Sequence, residues 1–427
     1  MNILLILLGK FLSFLSGVLN LGNGSTWPGH IALSINSNFA SDILKNSKTT
    51  VVFVTGTNGK TTTTKLIETI LEKNGKSVFV NQSGANLLNG LASSLIIESD
   101  NNGRINKNFA VFEIDENALI RVSKKIKPDY LIALNLFRDQ LDRYGEVDTI
   151  SKNWEVIYNE LKDNTKFILN ADDPRIAYLG MLPGVNVQYF GLNDFSLKNE
   201  IPQDAGDSTL CPKCSSKLKL NPVYYSHLGN WSCPNCKLKR PQLSIEKLHR
   251  YPLEGVYNMY NVLAASLFAK NIGINEKDIE TSLIGFKPAF GRQEELIIEN
   301  KKVKFFLSKN PTSFNESLRT INNLGAQYLL IILNDRIPDG RDISWIWDVN
   351  FEMLINSDIK LFAAGDRAYD MELRLKYAEL KPATFEDLPK SISSSLANIP
   401  EGETLFILPT YSAMLETRKI LTGKKIL

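Results

Sequence analysis

The sequence predicts an α/β protein: a doubly wound, mostly parallel central sheet with a second, smaller α/β domain behind it. Three observations carry this. Short β-branched runs alternate with segments of 3.6-residue apolar periodicity, the pattern of successive βαβ units. The first of those runs enters a Gly-containing turn that opens a helix. The alternation stops after Leu192, where a polar stretch leads to every cysteine of the chain, and resumes as a second strand and helix series beyond Lys287-Pro288. The 427 residues are 43% apolar and 22% charged, enough for several buried cores and at odds with a disordered or fibrous chain. Lys+Arg 49 against Asp+Glu 46 leaves +3, too even a balance for a surface built around a polyanion, so no nucleic-acid partner is expected.

Along the chain, Met1 to Leu21 is nearly all apolar, with Lys10 its one charge. A signal peptide or membrane span fits poorly: no basic region precedes the run, Lys10 would sit mid-span, and no small-residue cleavage site follows. Leu4, Leu5, Leu8, Phe11, Leu12, Leu15, Val18 and Leu19 follow a helical stripe. It suits a helix lying on a membrane or partner as well as one packed on its own domain, and both stay open. After the Gly-rich stretch Gly22 to Gly29, buried strands are expected at 51–54, 77–80, 109–114, 130–134, 166–169 and 185–190, and a helix at 258–270. The second series has strands at 303–307, 328–333, 360–364 and 404–408. The expected division is 1–45 for the apolar helix and lead-in, 46–290 for the first α/β domain, 208–240 for the cysteine insertion within it, and 291–427 for the C-terminal domain, Rossmann-like in its alternation.

The strongest chemical signal is Val51-Val52-Phe53-Val54-Thr55-Gly56-Thr57-Asn58-Gly59-Lys60-Thr61-Thr62-Thr63. Such a turn aims backbone N–H groups and a helix N-terminus at an anion; Lys60 supplies charge for the terminal phosphates and Thr61 a hydroxyl for Mg²⁺. Val54 stands where the general phosphate-loop pattern has its first Gly, so the match to that pattern is partial.

Thr55 to Thr62 resembles the ATP loop of the Mur ligases and folylpolyglutamate synthases, which activate a carboxylate as an acyl phosphate and then form an amide. Four further segments agree. Phe112-Glu113-Ile114-Asp115 ends a strand where the family places a Mg²⁺-binding Glu, and Asn170-Ala171-Asp172-Asp173-Pro174 looks like its NADDP turn. Gly255 to Ala265 resembles the GxHNxxNxLAA helix start, with Tyr257 in the His position and Asn261 as the residue that contacts adenine. Gly291-Arg292 resembles the interdomain Gly-Arg at which the C-terminal domain swings onto ATP. The resemblance thus implies a Mur ligase-like P-loop domain whose ATP is held by Thr57, Asn58, Gly59, Lys60, Thr61, Thr62, Asn261 and Arg292, with Mg²⁺ on Thr61 and Glu113. Two departures bear on metal binding. In Asn135 to Tyr144, similar to a segment ending D-H-x-D-R-Y, Gln140 replaces the metal-binding His, and Trp154 falls near the place of the lysine that many Mur ligases carbamylate. Only 54 residues precede the loop, too few for the family's usual N-terminal nucleotide-sugar domain.

Cys211-Pro212-Lys213-Cys214 and Cys233-Pro234-Asn235-Cys236 give two C-x2-C knuckles eighteen residues apart, the spacing of a tetrahedral Zn²⁺ site. Four thiolates saturate the metal, so the site is expected to be structural and the ribbon to brace the ATP core; Lys237, Lys239 and Arg240 beside it read as a solvated face. A Mur-type core with this ribbon, opening on Gly24-Ser25-Thr26-Trp27-Pro28-Gly29-His30-Ile31-Ala32-Leu33, resembles the MurT family from about Gly22 onward. Those synthetase subunits amidate the α-carboxyl of D-glutamate in lipid II together with a glutaminase, GatD.

Amidation from glutamine needs a thiolate and a His base. With every cysteine committed to zinc and only His30, His227 and His249 present, the chain is expected to take ammonia from a partner. The MurT resemblance implies that Asp348, after Trp345-Ile346-Trp347, orients the partner's catalytic His and joins Lys60 and Glu113 among the catalytic residues; the alternative is that Asp348 caps a helix while both Trp pack in the core. Asn310-Pro311 lies where some Mur ligases have a motif reading the incoming amino acid. The expected protein is a cytoplasmic ATP-, Mg²⁺- and Zn²⁺-dependent carbon–nitrogen ligase in a heterodimer with a GatD-like glutaminase. A contact to the inner face of the membrane, where lipid II sits, is the open extension. The rival readings are a ligase adding an amino acid to a carboxylate, and a zinc-ribbon binding module with a vestigial ATP site.

Overall fold

The computed structural model describes residues 2–18, 26–81, 84–139, 147–199, 207–355 and 358–423. In chain order these form α1 (Asn2–Val18), α2 (Trp27–Ile35), α3 (Phe39–Lys45), β1 (Thr50–Thr55), α4 (Lys60–Lys73), β2 (Val78–Val80), α5 (Leu88–Glu98), β3 (Phe109–Ile114), α6 (Leu119–Ser123), β4 (Tyr130–Ala133), α7 (Val147–Leu161), β5 (Lys166–Asn170), α8 (Pro174–Leu179) and β6 (Val187–Phe190). A ribbon of β7 (Lys219–Tyr225) and β8 (Leu228–Ser232) precedes α9 (Val256–Asn271) and α10 (Glu276–Leu283). The C-terminal part holds β9 (Arg292–Ile298), β10 (Lys301–Phe306), α11 (Pro311–Asn323), β11 (Tyr328–Ile332), a 3-10 turn (Ser344–Asp348), β12 (Lys360–Ala364), α12 (Ala368–Tyr377), β13 (Ala383–Thr384), α13 (Leu388–Ala397), β14 (Thr404–Pro409) and α14 (Tyr411–Thr422).

The first sheet has the order β2-β3-β1-β4-β5-β6, every pair parallel. Its strands are apolar on both faces because helices cover both; Val52, Phe53 and Val54 of β1 are fully buried, and the side chains of its two faces belong to two separate cores. β1 therefore sits in the middle of the sheet, and its C-terminal end opens between the ends of β3 and β4, where α/β sheets bind ligands.

The second sheet runs β13-β12-β11-β14-β10-β9, parallel except for β9, which is antiparallel to β10. Strand β9 has no counterpart among the strands expected from the sequence. It is an edge strand in which charged and apolar residues mix, so no buried run betrays it. The signal it does carry is Glu299-Asn300, two residues of positive φ (48° and 62°) that close a tight hairpin between Ile298 and Lys301.

Helix α1 lies on the first domain with Leu5 and Ile6 inward, so the predicted stripe does not stay on one face: Leu4, Leu8 and Phe11 are exposed, with Ile3, Leu7 and Phe14. A Cβ on Gly9 would come within 2.8 Å of Ile96 in α5, which explains why that position is glycine. Lys10 turns inward and donates to Ser99 O at 2.6 Å, leaving the outer face without charge. Among the described residues no helix is long and apolar enough to cross a membrane.

Candidate active site

Where β1 ends, the chain makes a turn that needs glycine twice. Gly56 and Gly59 have φ of 133° and 92°, and a Cβ on Gly59 would lie 2.1 Å from Asn261 Oδ1. The loop between them is held from below by Asn135, buried at the end of β4. Asn135 accepts from Thr57 N through its backbone oxygen (3.0 Å) and from Asn58 N through its side chain (2.9 Å), and donates to Asn58 O at 3.1 Å. The Thr57 hydroxyl donates to Phe137 O and accepts from Phe137 N, and its N–H is taken by Asn135 O, so this predicted ligand lines the cavity with its polar groups already engaged inside the chain. Gly59 brings no capping side chain to α4, so the first-turn N–H groups are left uncapped where Lys60, Thr61 and Thr62 line the cavity.

Lys60 is buried, with its ammonium on Gly56 O (2.5 Å), Glu116 Oε2 (2.9 Å) and Thr57 O (3.2 Å). Burial pushes the Glu116 carboxyl up, but the Lys60 and Lys309 ammoniums outweigh it and hold it below the usual carboxylate range. The Thr61 hydroxyl donates to Glu113 Oε2 at 2.8 Å, and Asn81 fixes the Glu113 backbone on both sides, accepting from its N–H at 2.8 Å and donating to its carbonyl at 3.2 Å. A hydroxyl and a carboxylate side by side are hard oxygen donors of the kind Mg²⁺ takes. Trp154, at the place of the carbamylated lysine, is buried and donates its indole N–H to Glu116 O at 2.8 Å. Gln140 lies outside the described residues.

The cavity over the loop has a volume of about 520 Å³ and brings together Thr57, Asn58, Gly59, Lys60, Thr61, Thr62, Glu113, Asn261 and Arg292. Asn261 is held by Asn258 (3.1 Å) and accepts from Thr63 Oγ1 at 3.3 Å. Burial lowers the pKa of Arg292 while the Glu113 carboxylate opposes that. Its neighbour Gln293 ties the start of the C-terminal part to the start of α9, donating to Glu254 O (2.8 Å) and to the Tyr257 hydroxyl (2.9 Å), which explains the Tyr in the His position. Asn310 caps α11, accepting from Ser313 N at 2.9 Å, and its amide exchanges hydrogen bonds with Asn58 of the loop at 3.1 and 3.4 Å. Lys309 beside it is ion-paired with the buried Asp139. Sequence reasoning passed over Asn135, Glu116, Asp139 and Lys309; Asn135 and Asp139 stand inside the motif it quoted, but nothing local marks which side faces the loop.

The sulfurs of Cys211, Cys214, Cys233 and Cys236 all lie within 4.8 Å of one another, with pairs at 3.5 and 3.6 Å. A tetrahedral Zn²⁺ with Zn–S bonds of about 2.3 Å spaces its sulfurs by about 3.8 Å, so the donor set fits that ion. The ribbon rests on the Asn170–Pro174 turn. Trp231 Nε1 donates to Ala171 O (2.9 Å), Arg240 to Asp172 (2.8 Å), and His227 meets Asp173 at 3.3 Å. Burial pushes Asp172 up to about 6, against the pull of Arg240. Asp173 in turn accepts from Leu136 N at 2.9 Å, so this turn links the ribbon to the segment beneath the phosphate loop.

Asp348 is elsewhere. It closes the 3-10 turn, half exposed, 3.7 Å from Arg138, and does not line the cavity. Trp345 packs on Phe314, whereas Trp347 is exposed beside Tyr377, ring centroids 5.2 Å apart.

Two family models match: the Mur ligase middle domain over residues 54–269 and the MurT ligase C-terminal domain over residues 307–414. The chain is 33% identical, over 95% of its length and 94% of the relative's, to the lipid II isoglutaminyl synthase (glutamine-hydrolyzing) subunit MurT of Streptococcus pneumoniae. Identity to the protein of the same name from Staphylococcus aureus is 34%, over 92% of this chain and 91% of the relative. Among solved structures, a pseudomurein peptide ligase type C from Methanothermus fervidus superposes with a TM-score of 0.67 at 22% identity, covering 90% of this chain and 80% of that one, a likeness of fold.

Proposed function

The chain belongs to the Mur ligase family, in its MurT group, and on that footing we propose that it amidates the α-carboxyl of D-glutamate in the stem peptide of lipid II to D-isoglutamine, as the ATP-dependent synthetase subunit of a complex with a GatD-like glutaminase. One observation carries the reading: phosphate loop, Thr61 and Glu113 converge on one cavity, while all four cysteines gather at another place. The chain thus has the parts of a carboxylate-activating ligase and no thiol left for glutamine hydrolysis.

In the first step the acceptor carboxylate oxygen bonds to the γ-phosphorus of ATP and ADP leaves; in the second, ammonia attacks the acyl carbon and phosphate leaves. The backbone N–H groups of Gly59 and of the first turn of α4 would grip the phosphates, while those of Thr57 and Asn58 stay on Asn135 and keep the loop in shape. Lys60 is poised to leave the loop carbonyls for the transferring phosphoryl group, and Glu116 remains as its buried counter-charge. Thr61 and Glu113 would hold Mg²⁺, which would supply positive charge against the phosphates. Asn261 would meet adenine, and Arg292 would couple closure of the C-terminal domain (291–427) onto the ATP-binding domain (46–290) to nucleotide binding. The four cysteines would hold a structural Zn²⁺, fixing the ribbon on the turn below the loop. Asp348, exposed and outside the cavity, suits a role toward a second protein, orienting the His of the glutaminase.

The charge-free outer face of α1 gives a surface that suits the inner face of the cytoplasmic membrane, where a lipid-linked acceptor resides. Deleting residues 2–18 is expected to lower flotation with anionic vesicles and activity on membrane-presented lipid II; unchanged values would remove that attachment. The function itself is tested by offering the chain ATP, lipid II and either ammonium or glutamate. Phosphate release with ammonium supports amidation. Release with glutamate alone supports the amino-acid ligase, and release with neither supports the vestigial site.

A further inference from the structure

Bringing a carboxylate onto a terminal phosphate presses two anions together, and Lys60, the cation on the phosphate-loop side, must give up contacts inside the loop to meet either of them. The three ammonium hydrogens of Lys60 face Gly56 O, Thr57 O and Glu116. Lys309 is different. It precedes Asn310, the cap of α11, and its register against the loop is set by the reciprocal amide pair between Asn310 and Asn58. Its ion pair with Asp139 is lopsided: the Asp139 side chain is 3% exposed and that of Lys309 36%, lining the cavity with Thr312 and Ser313 of the same helix start. Asp139 Oδ1 has no hydrogen-bond partner among the described residues. Burying a carboxylate with an idle oxygen costs stability and does little for a lysine that water could solvate. What the pair achieves is orientation. One N–H of Lys309 is held by Asp139, and among the described residues no other acceptor takes the remaining two of an ammonium that lines the cavity.

We propose that Lys309 is a catalytic cation of this site, binding the anionic oxygen at which the terminal phosphoryl group meets the acceptor carboxylate, with Asp139 as its positioning residue. The inference rests on the amidation reading only for the identity of the acceptor. In the activation step an O–P bond forms, the bond from the γ-phosphorus to the bridging oxygen breaks, and ADP carries off the electron pair. No proton moves, so a fixed cation is the group this step needs. The oxygen belongs either to the phosphate or to the carboxylate, and the binding measurements separate the two.

The test uses the full chain with its glutaminase subunit, ammonium replacing glutamine, and the variants Lys309→Met, Lys309→Arg and Asp139→Asn. Lys309→Met is expected to lower kcat for phosphate release roughly 100-fold, Lys309→Arg to regain at least about a tenth of parental kcat, and Asp139→Asn to cost roughly tenfold. The double variant Asp139→Asn/Lys309→Met is expected to be no slower than Lys309→Met alone, because Asp139 acts through Lys309. A loss of preference for the β,γ-methylene analogue of ATP over ADP in Lys309→Met assigns the phosphate oxygen; an unchanged preference with a raised KM for lipid II assigns the carboxylate. The proposal is overturned if Lys309→Met stays within about threefold of the parent in kcat and both affinities. It is equally overturned if Lys309→Arg loses as much as Lys309→Met with the same fall in melting temperature, the mark of a mere clamp. If the parent shows no ammonium-stimulated phosphate release, the amidation reading fails instead, and the nucleotide preference of Lys309→Met alone decides for or against Lys309.

Discussion

The phosphate loop and the Asp348 turn are built on opposite principles. Around the loop the bracing polar groups are paired within the chain: Asn135 under Thr57 and Asn58, Asn81 on the Glu113 backbone, Glu116 on Lys60. At Asp348 the turn itself is anchored by buried Ile346 and Val349, but the carboxylate stands half in water with Arg138 near it, at 3.7 Å, and Trp347 beside it is half exposed. A site that must hold phosphates through a reaction is organised within its own chain, since preformed dipoles need no rearrangement as charge develops. On the proposed reading Asp348 acts on another protein's residue, and such a carboxylate must stay accessible until that protein arrives, which its half-exposed position allows.

The contrast is broken most directly at Lys60. Lys60→Ala is expected to lower phosphate release roughly 1000-fold, whether ammonium or glutamine supplies nitrogen, because both routes pass through the same activation. Rates within tenfold of the parent would mean that the loop is not the catalytic centre. Asp348→Asn sharpens it from the other side. Glutamine-driven amidation should fall about 100-fold, less than for a buried triad acid because water screens a half-exposed carboxylate, while ammonium-driven amidation stays within about twofold. Equal losses on both nitrogen sources would deny Asp348 its role toward a partner. Asn135→Ala comes third. Stranding the Asn58 N–H and carbonyl costs about 1–3 kcal/mol, so the KM for ATP should rise roughly tenfold with kcat less affected. An unchanged KM would show that the loop holds its shape without that brace.

How much of this was legible beforehand follows from the same contrast. The loop motif, the strand before it and the helix after it are consecutive, so Gly56, Gly59, Lys60 and Thr61 could be read from a dozen residues, as could the cysteine knuckles with their fixed spacing. Glu116, Asp139 and Lys309 could not. Lys309 meets Asp139 across 170 residues, and Trp154 reaches Glu116 only because α7 packs beside the end of β3. No period or spacing encodes such meetings; the topology creates them. Strand β9 escaped for a different reason, its alternation being that of an edge, and only its turn residues announce it. Asp348 is intermediate: its position was marked by the Trp-x-Trp before it, but whether the indoles were buried depended on distant partners, Phe314 of α11 for Trp345 and Tyr377 of α12, which leaves Trp347 half in water.

The smallest expected effect separates the two regions by stability rather than rate. The Glu116 carboxyl is held below its usual range because Lys60 and Lys309 outweigh its burial. A carboxyl depressed on folding contributes stability that is present above its unfolded value, near 4.5, and lost as pH falls through the lower folded value. Glu116→Gln should therefore lower the melting temperature at neutral pH by several degrees, and the gap to the parent should close on acidification below about pH 4. Asp348→Asn should run parallel to the parent across the same range, since a half-exposed carboxylate 3.7 Å from one arginine adds little to folding. If the two variants gave the same profile, the loop would owe nothing to its internal charge balance, and the difference between a site finished in its own chain and one awaiting a partner would lose its physical basis.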